Sequence, residues 1–290
     1  MSESAIVRLR TAFREYMRDI EGRASDLLGG CLKVSFATDT GAVRDHNEDS
    51  FYIGGRIKHK FGESEVGEYC EPCSETYVYG VFDGLGGEDY GEVASAIAAE
   101  LLERFNARLK AASADMLDSI MTEYADRANA AILDMLAEHN SDCGGSTFTA
   151  IIVKDGVAYP YYIGDSRIYL YRDGALTLIS HDQTLAQRLV DGGYMTEEEA
   201  DGSYESHVLV SFLGEDSDRK GLEVQRCEPV KLEQGTVLMM CSDGLSDMCS
   251  SADIAEVISE HDSRTARRLA DRAVEKGGYD NVTVVTIKAK

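Results

Sequence analysis

Acidic residues stand at the ends of three apolar runs that lie far apart in the chain: Val81-Phe82-Asp83-Gly84, Met240-Cys241-Ser242-Asp243-Gly244 and Gly278-Tyr279-Asp280-Asn281. One Asp at such an edge is an ordinary turn residue or helix cap. Three of them, joined by Glu48-Asp49 behind Gly41-Ala42-Val43-Arg44-Asp45-His46-Asn47, put more carboxylate beside core strands than a fold tolerates unneutralised. Any fold for this chain has to supply cations there, so divalent-metal chemistry is the first functional expectation.

The chain has 290 residues, 43% of them hydrophobic, which is enough for one large core and does not force a second one. Its prolines are isolated, and neither a low-complexity stretch nor a solenoid-period repeat marks a boundary. The formal net charge of −23 repels nucleic acid and anionic membranes, both of which are bound chiefly through Lys and Arg. The start, Met1-Ser2-Glu3-Ser4, lacks a basic region, and charges such as Arg8, Arg14 and Arg18 interrupt the following apolar positions. Neither a signal peptide nor a membrane span is therefore expected. Seven cysteines, an odd number set mostly in apolar or small-residue stretches, suit reduced thiols and a cytoplasmic location.

Leu9, Phe13, Met17 and Ile20 before Gly29-Gly30 predict an amphipathic helix, a packing or docking element outside the active core. The chain is thus divided into an N-terminal extension, 1–30, and a domain, 31–290. Strands are expected at 34–38 and 49–53. Residues 54–75, rich in charge and glycine, read as a surface excursion before a strand at 77–82. Two helices follow, one with Val93, Ile97, Leu101, Leu102 and Phe105 on a face, the next with Met116, Ile120, Tyr124, Ala128, Ala131 and Met135. From 147 to 179 the pattern is an antiparallel meander with hairpin turns at Asp155-Gly156 and Asp173-Gly174 and with Gly164-Asp165-Ser166 between neighbouring strands. A polar helical stretch at 182–210, a strand at 237–241, two helices in 250–276 and a strand at 282–287 complete the chain. Strands and helices fall in blocks, so an α+β fold with antiparallel sheets is expected rather than a doubly wound one.

Arg44-x-x-Asn47-Glu48-Asp49, Asp83-Gly84-x-Gly86-Gly87, Gly145-Ser146-Thr147, Gly164-Asp165-Ser166-Arg167, Leu213-Gly214, Ser242-Asp243-Gly244-Leu245 and Asp280-Asn281 occur in that order. Each is weak alone; the ordered set resembles the metal-dependent PP2C-type (PPM) Ser/Thr protein phosphatases from about Lys33 to Lys288. The resemblance implies a central β-sandwich of two antiparallel sheets flanked by helices on both sides (α-β-β-α), with a metal cleft at one end. It implies that Asp83 bridges two divalent ions, that the Gly84 carbonyl holds one, and that Asp243 and Asp280 complete the other. Glu48 and Asp49 would act through coordinated waters, and Asp165 with Asp243 would form an optional third site. Oxygen ligands favour Mg²⁺ or Mn²⁺, and Mg²⁺ keeps several waters, so few carboxylates suffice. The implied reaction is attack on phosphorus by a water or hydroxide bridging two ions roughly 3.5–4 Å apart, without a phosphoenzyme.

Arg44 is the cation beside these acids, and its fork of donors suits two phosphate oxygens; pairing with Asp49 or Glu48 is the structural alternative. Asn281 is expected to fix the Asp280 turn from behind the ligands. Leu85 departs from the Asp-Gly-His-Gly-Gly form found in many eukaryotic relatives and cannot give a proton to the leaving group. The leaving oxygen then takes its proton from a coordinated water, or poor leaving groups react slowly. His46 is expected at the surface, and Cys70-x-x-Cys73, lacking a second such pair, in a mobile loop. Residues 184–211 correspond to a flap beside the cleft in related enzymes, where Gly192-Gly193 and Gly202 permit bending.

These readings converge on a monomeric cytoplasmic phosphatase acting on phosphoserine and phosphothreonine proteins, the products of a Ser/Thr kinase. The alternatives are a pseudophosphatase that keeps the fold as a binding module for a kinase or signalling partner, and a relative acting on a phosphoserine anti-anti-sigma-type regulator. Asp83, Asp243 and Asp280 are all present, which counts against the pseudophosphatase.

Overall fold

The computed structural model describes residues 31–58, 64–72, 75–86, 90–141, 143–216, 222–260 and 262–290; the expected N-terminal helix lies outside them. Fifteen strands follow in chain order: β1 (Cys31–Asp39), β2 (Ser50–Ile53), β3 (Arg56–Ile57), β4 (Glu65–Pro72), β5 (Tyr77–Phe82), β6 (Gly84–Leu85), β7 (Gly145–Ser146), β8 (Phe148–Lys154), β9 (Val157–Ile163), β10 (Arg167–Arg172), β11 (Ala175–Leu178), β12 (Gln225–Arg226), β13 (Val230–Lys231), β14 (Val237–Cys241) and β15 (Val282–Ala289). They form one sheet in the order β11-β10-β14-β15-β1-β4 and a second in the order β12-β9-β8-β5-β2-β3, with β13 beside β9 and β6 paired to β7. Their pairings are antiparallel.

Alternation along single strands builds three apolar layers from these two sheets. In β5, Tyr77, Tyr79 and Val81 face Phe36, Ile168, Met240 and Val285 of the opposite sheet. Val78 and Phe82, one residue out of step, pack instead on the Gly91–Ala111 and Leu117–Glu138 helices, against Leu102, Tyr124 and Ile132. On the far side Met239, Cys241 and Val284 meet Ile254, Leu269 and Ala273 of the Ser251–Ser259 and Thr265–Glu275 helices. The order is helices, sheet, sheet, helices, the architecture the motifs implied.

Two expectations need correcting. The stretch 54–75 is not merely a surface excursion: within it β3 extends one sheet, and β4 runs along β1 from Cys31 opposite Pro72 to Thr38 opposite Glu65. Alternation of Val66, Glu68 and Cys70 with Gly67, Tyr69 and Glu71 produces an edge strand with Val66 and Glu68 exposed and Glu71 accepting from the buried Tyr79 hydroxyl, a strand that its polarity concealed. Cys70 therefore lies in a strand, while Cys73 lies outside the described residues. Nor is 147–179 a continuous meander. The two Asp-Gly hairpins are there, with left-handed Asp155 and Asp173, but β9 and β10 belong to different sheets. Gly164-Asp165-Ser166 is the crossover between the two halves of the sandwich.

Layer position sets the expected cost of truncation. Ile151 is fully buried between the sheets, whereas Leu178 on edge strand β11 is 41% exposed. Ile151→Ala should cost about 2–5 kcal/mol of unfolding free energy. Leu178→Ala should stay within about 0.5 kcal/mol. Urea titration of both variants checks this, and equal losses would contradict the layering.

Candidate active site

Antiparallel pairing brings the acidic strand ends to one end of the sandwich. Ser50 of β2 lies opposite Phe82 of β5, so Asp49 enters where Asp83 leaves. Cys241 of β14 lies opposite both Arg167 of β10 and Val284 of β15, which brings Asp243, Asp165 and Asp280 to the same rim. Residues as distant in the chain as Asp49 and Asp280 thus become neighbours because hairpins and crossovers return the chain to that edge.

A net of uncharged donors and acceptors holds the acidic loops. The Asn281 side chain accepts from the Glu48 N–H at 2.7 Å and donates to the carbonyls of Thr40 and His46 at 2.9 Å each. It therefore pins the whole 40–48 loop, more than the Asp280 turn expected of it; that turn is closed by the Asn281 N–H donating to Asp280 Oδ1 at 2.8 Å. Asn47, fully buried, donates to Thr38 Oγ1 at 2.8 Å and accepts from the Asp49 N–H at 3.0 Å. Ser242 Oγ donates to Asp49 Oδ2 at 2.7 Å and accepts from the Thr283 N–H at 2.9 Å. Across the site, Thr147 Oγ1 accepts from the Asp83 N–H at 3.0 Å and meets Ser166 Oγ at 2.7 Å, joining the strand end at 83 to the crossover.

Close backbone approach explains two of the motif glycines. A Cβ on Gly84 would stand 2.5 Å from the carbonyl oxygens of both Glu48 and Gly91, and one on Gly244 would stand 2.0 Å from the Asn281 carbonyl. Only glycine lets those acidic loops touch.

The carboxylates feel one another. Burial, then Asp243, Asp49 and Asp165, holds Asp83 well above the usual carboxylate range, and burial, Asp165, Asp247 and Asp280 do the same to Asp243. Burial pushes Asp49 up to about 6 against the pull of hydrogen bonds from Thr283 and Ser242, and burial and Asp182 push Asp165 up to about 7. Glu48 is raised by burial, with His46 opposing.

These groups suit divalent cations. Asp49 Oδ1 is buried with no hydrogen-bond partner, an orphaned acceptor that hydrogen bonding within the protein leaves unsatisfied. The groups around it offer oxygen rather than sulfur, the preference of Mg²⁺ and Mn²⁺. Among the described residues no three His, Cys, Asp or Glu side chains close on a point tightly enough to cage an ion unaided. An ion there must keep waters and take backbone oxygen, as Mg²⁺ does.

Arg44 reaches the cluster, but through Asp280: its Nη2 donates to Asp280 Oδ2 at 2.7 Å, rather than to Glu48 or Asp49. Burial lowers its proton affinity while Asp280, Glu48 and Asp243 raise it further, leaving it above the ordinary arginine value. His46 is partly exposed, as expected of a surface residue, yet its Nε2 lies 3.3 Å from Glu48 Oε1. Leu85 pairs with Gly145 in the short β6–β7 ladder. Gly87 lies outside the described residues.

Three participants had no motif to announce them. Lys58 Nζ donates to the carbonyls of Asn47 and Asp49 at 2.6 Å each, a half-buried ammonium beneath the acids whose pKa burial lowers against the pull of Asp49 and Glu92. In the sequence it is one of three basic residues, Arg56, Lys58 and Lys60, after a glycine turn, with nothing to single it out. Asp182 takes the Arg167 guanidinium on both oxygens at 2.7–3.2 Å, fastening the start of the 182–210 segment beside Asp165. Asp247 receives His207 of that segment at 3.7 Å. The segment itself carries the Leu185–Asp191 helix, capped by Thr184, is closed on itself by the Leu185 N–H donating to the Val208 carbonyl at 2.7 Å, and is tied to the crossover by the Gln183 N–H donating to the Gly164 carbonyl at 3.1 Å.

The family model for Protein phosphatase 2C matches residues 69–277. Over 256 residues the chain is 32% identical to the serine/threonine protein phosphatase PstP of Mycobacterium tuberculosis, covering 88% of this chain and 44% of that protein. The chain thus spans less than half the length of that relative. In three dimensions it is similar to the S. agalactiae serine/threonine phosphatase, with a TM-score of 0.77 and 26% identity over 89% of this chain and 100% of that one. It is likewise similar to the catalytic domain of PstP in complex with two manganese ions, at TM-score 0.68 and 31% identity over 89% and 99% of the two chains. With the ordered motifs gathered on one rim of a helix-flanked sandwich, and the family model spanning well over half its length, the chain belongs to the protein phosphatase 2C family.

Proposed function

We propose that this protein is a Mn²⁺- or Mg²⁺-dependent phosphatase that hydrolyses phosphoserine and phosphothreonine in proteins, opposing a cytoplasmic Ser/Thr kinase and working as a monomer. The observation that carries this reading is the convergence of Asp243, Asp49 and Asp165 on Asp83, whose proton affinity each of them raises, with one buried Asp49 oxygen unpartnered. Asp83, the Gly84 carbonyl, Asp243 and Asp280 are the groups to hold two ions. Glu48 and Asp49 stand behind them, and Asp165 with Asp243 would serve a third. The two manganese ions in the related PstP catalytic domain support a divalent-metal requirement. Two such ions would acidify a water and offset charge on the transferring phosphoryl oxygens.

The chain's own groups do the rest. Asn281, Asn47 and Lys58 hold the acidic loops by their backbone rather than by their carboxylates. Arg44, half exposed at the rim, orients two phosphate oxygens through its planar fork once it leaves Asp280. Leu85 offers no proton, so the leaving oxygen takes its proton from solvent. The bond from phosphorus to the seryl or threonyl oxygen breaks as the bond from water oxygen to phosphorus forms, releasing the hydroxyl side chain and inorganic phosphate. Buried thiols at Cys31, Cys227, Cys241 and Cys249 support a cytoplasmic setting. Among the described residues no helix is long and apolar enough to cross a membrane.

The direct test is hydrolysis of an aryl phosphate with Mn²⁺. EDTA and Asp243→Ala should each abolish it, and Arg44→Ala should raise KM about tenfold or more with kcat changed less, the size of a lost charge-assisted hydrogen bond. Activity untouched by EDTA would reject the metal, and an unchanged KM would return Arg44 to a purely structural ion pair.

Proton linkage gives a second test. Carboxylates raised in the folded state bind protons there that the unfolded chain has released. Their contribution to metal-free stability is therefore full at low pH and is lost as pH rises through about 6 for Asp49 and about 7 for Asp165. Melting temperature of the EDTA-treated protein should fall between about pH 5 and pH 8, and Mn²⁺ should raise it more at the higher pH, since a cation replaces the protons. A metal-induced rise that is larger at the lower pH would contradict the site.

The charge of −23 favours cationic substrates. Phosphopeptides flanked by Arg should show a higher kcat/KM than the same peptides flanked by Glu, with the gap narrowing as salt is added. Equal rates at low salt would remove electrostatic steering from the account.

A further inference from the structure

Two exposed apolar residues stand beside Arg44. Val43 is 60% exposed and Tyr279 65% exposed, and the two sit immediately before the residues of the Arg44–Asp280 ion pair. Their loops are clasped: the Ala42 N–H donates to the Gly278 carbonyl at 2.8 Å, one residue from each. The Tyr279 ring is laid back over Gly277, where a Cβ would come within 3.0 Å of it, so one face is supported and the other is open. Isolated exposed apolar residues need no explanation, but two on clasped loops, flanking the proposed phosphate-binding guanidinium, form a directed surface.

We propose that Val43 and Tyr279 form a platform that receives an apolar side chain of the substrate, next to the phosphorylated residue, in an otherwise cationic segment of a phosphoprotein. The inference rests on the phosphatase reading and adds to it a sequence preference. The occupant follows from charge and distance. A second copy of this chain would bring another −23 to the same rim, whereas a Lys/Arg-containing segment is drawn to it. Adjacent Cα atoms are about 3.8 Å apart, and an extended peptide advances roughly 3.3 Å per residue. With its phosphate on Arg44, such a peptide has its side chains one or two positions away over Val43 and Tyr279. Partial cover of a leucine by an open platform is worth less than full burial, roughly a five- to tenfold preference.

The experiment compares phosphothreonine peptides with identical Arg content that carry Leu or Ser at each of the two positions on either side, with an aryl phosphate assayed in parallel. The ratio of kcat/KM for Leu over Ser is expected to reach about five to ten at one of these positions. It should fall to about one to two in Val43→Ser/Tyr279→Ser and be kept in Tyr279→Phe, which preserves the ring. Because each ratio is taken within one enzyme, a general loss of activity or folding in a variant cancels. Fluorescence anisotropy with the same peptides reads the preference without turnover. A ratio near one at every position in the natural sequence, or a ratio that survives the double substitution, overturns the platform while leaving the phosphatase reading standing. Concentration-dependent dimerisation lost in the double variant, with flat peptide ratios, would overturn it in favour of self-association. If aryl phosphate and peptides all resist hydrolysis with Mn²⁺, it is the phosphatase reading that fails. In that case a Leu-over-Ser preference in anisotropy upholds the platform and its absence ends both.

Discussion

Carboxylates crowded at one end of a sandwich of apolar strands impose the arrangement of everything around them. Burial raises the proton affinity of Asp83 and Asp243 first, and their acidic neighbours raise it further. Among the described residues the salt bridges that reach these acids stay at the edge of the crowd, Arg44 with Asp280 and His46 with Glu48. Arg44 is held at the rim by Asp280, and Lys58 spends its bonds on backbone carbonyls rather than on carboxylate oxygens. Neutral groups do much of the holding instead: Asn47 and Asn281 satisfy the loop backbone, Ser242 takes Asp49 Oδ2, and Asp49 Oδ1 is left without a hydrogen-bond partner. A protein that neutralised these acids internally would be more stable without metal and would have nothing left to bind one.

The stability that tolerates this frustration comes from elsewhere. Three apolar layers run through the molecule, and the same strands serve two of them by alternation, as Val78 and Tyr79 do from adjacent positions of β5. The cost is local and the support distributed, so the acidic loops are positioned by strands they do not help to stabilise. Connectivity adds precision: the step from β9 to β10 crosses between sheets at Asp165, and Thr147 with Ser166 couples that crossover to the strand end that carries Asp83. An acid on one sheet is thereby held in register with acids on the other.

What could be read from the chain beforehand follows the range of the forces involved. Short apolar runs ended by Asp, and Asp-Gly hairpins with left-handed Asp155 and Asp173, are local signals, and each appears where expected. The two long helices were legible from their apolar spacing, although Met116 proves exposed and Ile132 takes the buried place. Strand β4 was not legible, because its two faces mix Glu with Val and Cys on one side and Gly and Glu with Tyr on the other, so that hydrogen bonds to β1 rather than apolar content define it. Lys58 was illegible for a related reason: its role depends on two carbonyls in another loop, which no spacing encodes. The crossover at 164–166 looks in sequence like any short turn, since pairing partners decide which sheet a strand joins.

The ion pair between Arg44 and Asp280 is where site geometry and function meet most directly. Asp280 Oδ1 already accepts from the Asn281 N–H, and Oδ2 accepts from Arg44, so neither oxygen is idle. Asp280 cannot give Oδ2 wholly to a cation and still hold the guanidinium as tightly. Metal at this carboxylate and phosphate at this arginine are therefore coupled under the proposed reading: whatever draws charge from Asp280 frees Arg44 for another anion, and a phosphate that takes Arg44 leaves Asp280 richer in charge for a cation. Both groups are partly exposed, so the exchange needs only side-chain rotation and no disruption of the Asn281 net behind them. A rigid neutral framework with one movable charged pair at its mouth is an arrangement in which each ligand favours entry of the other.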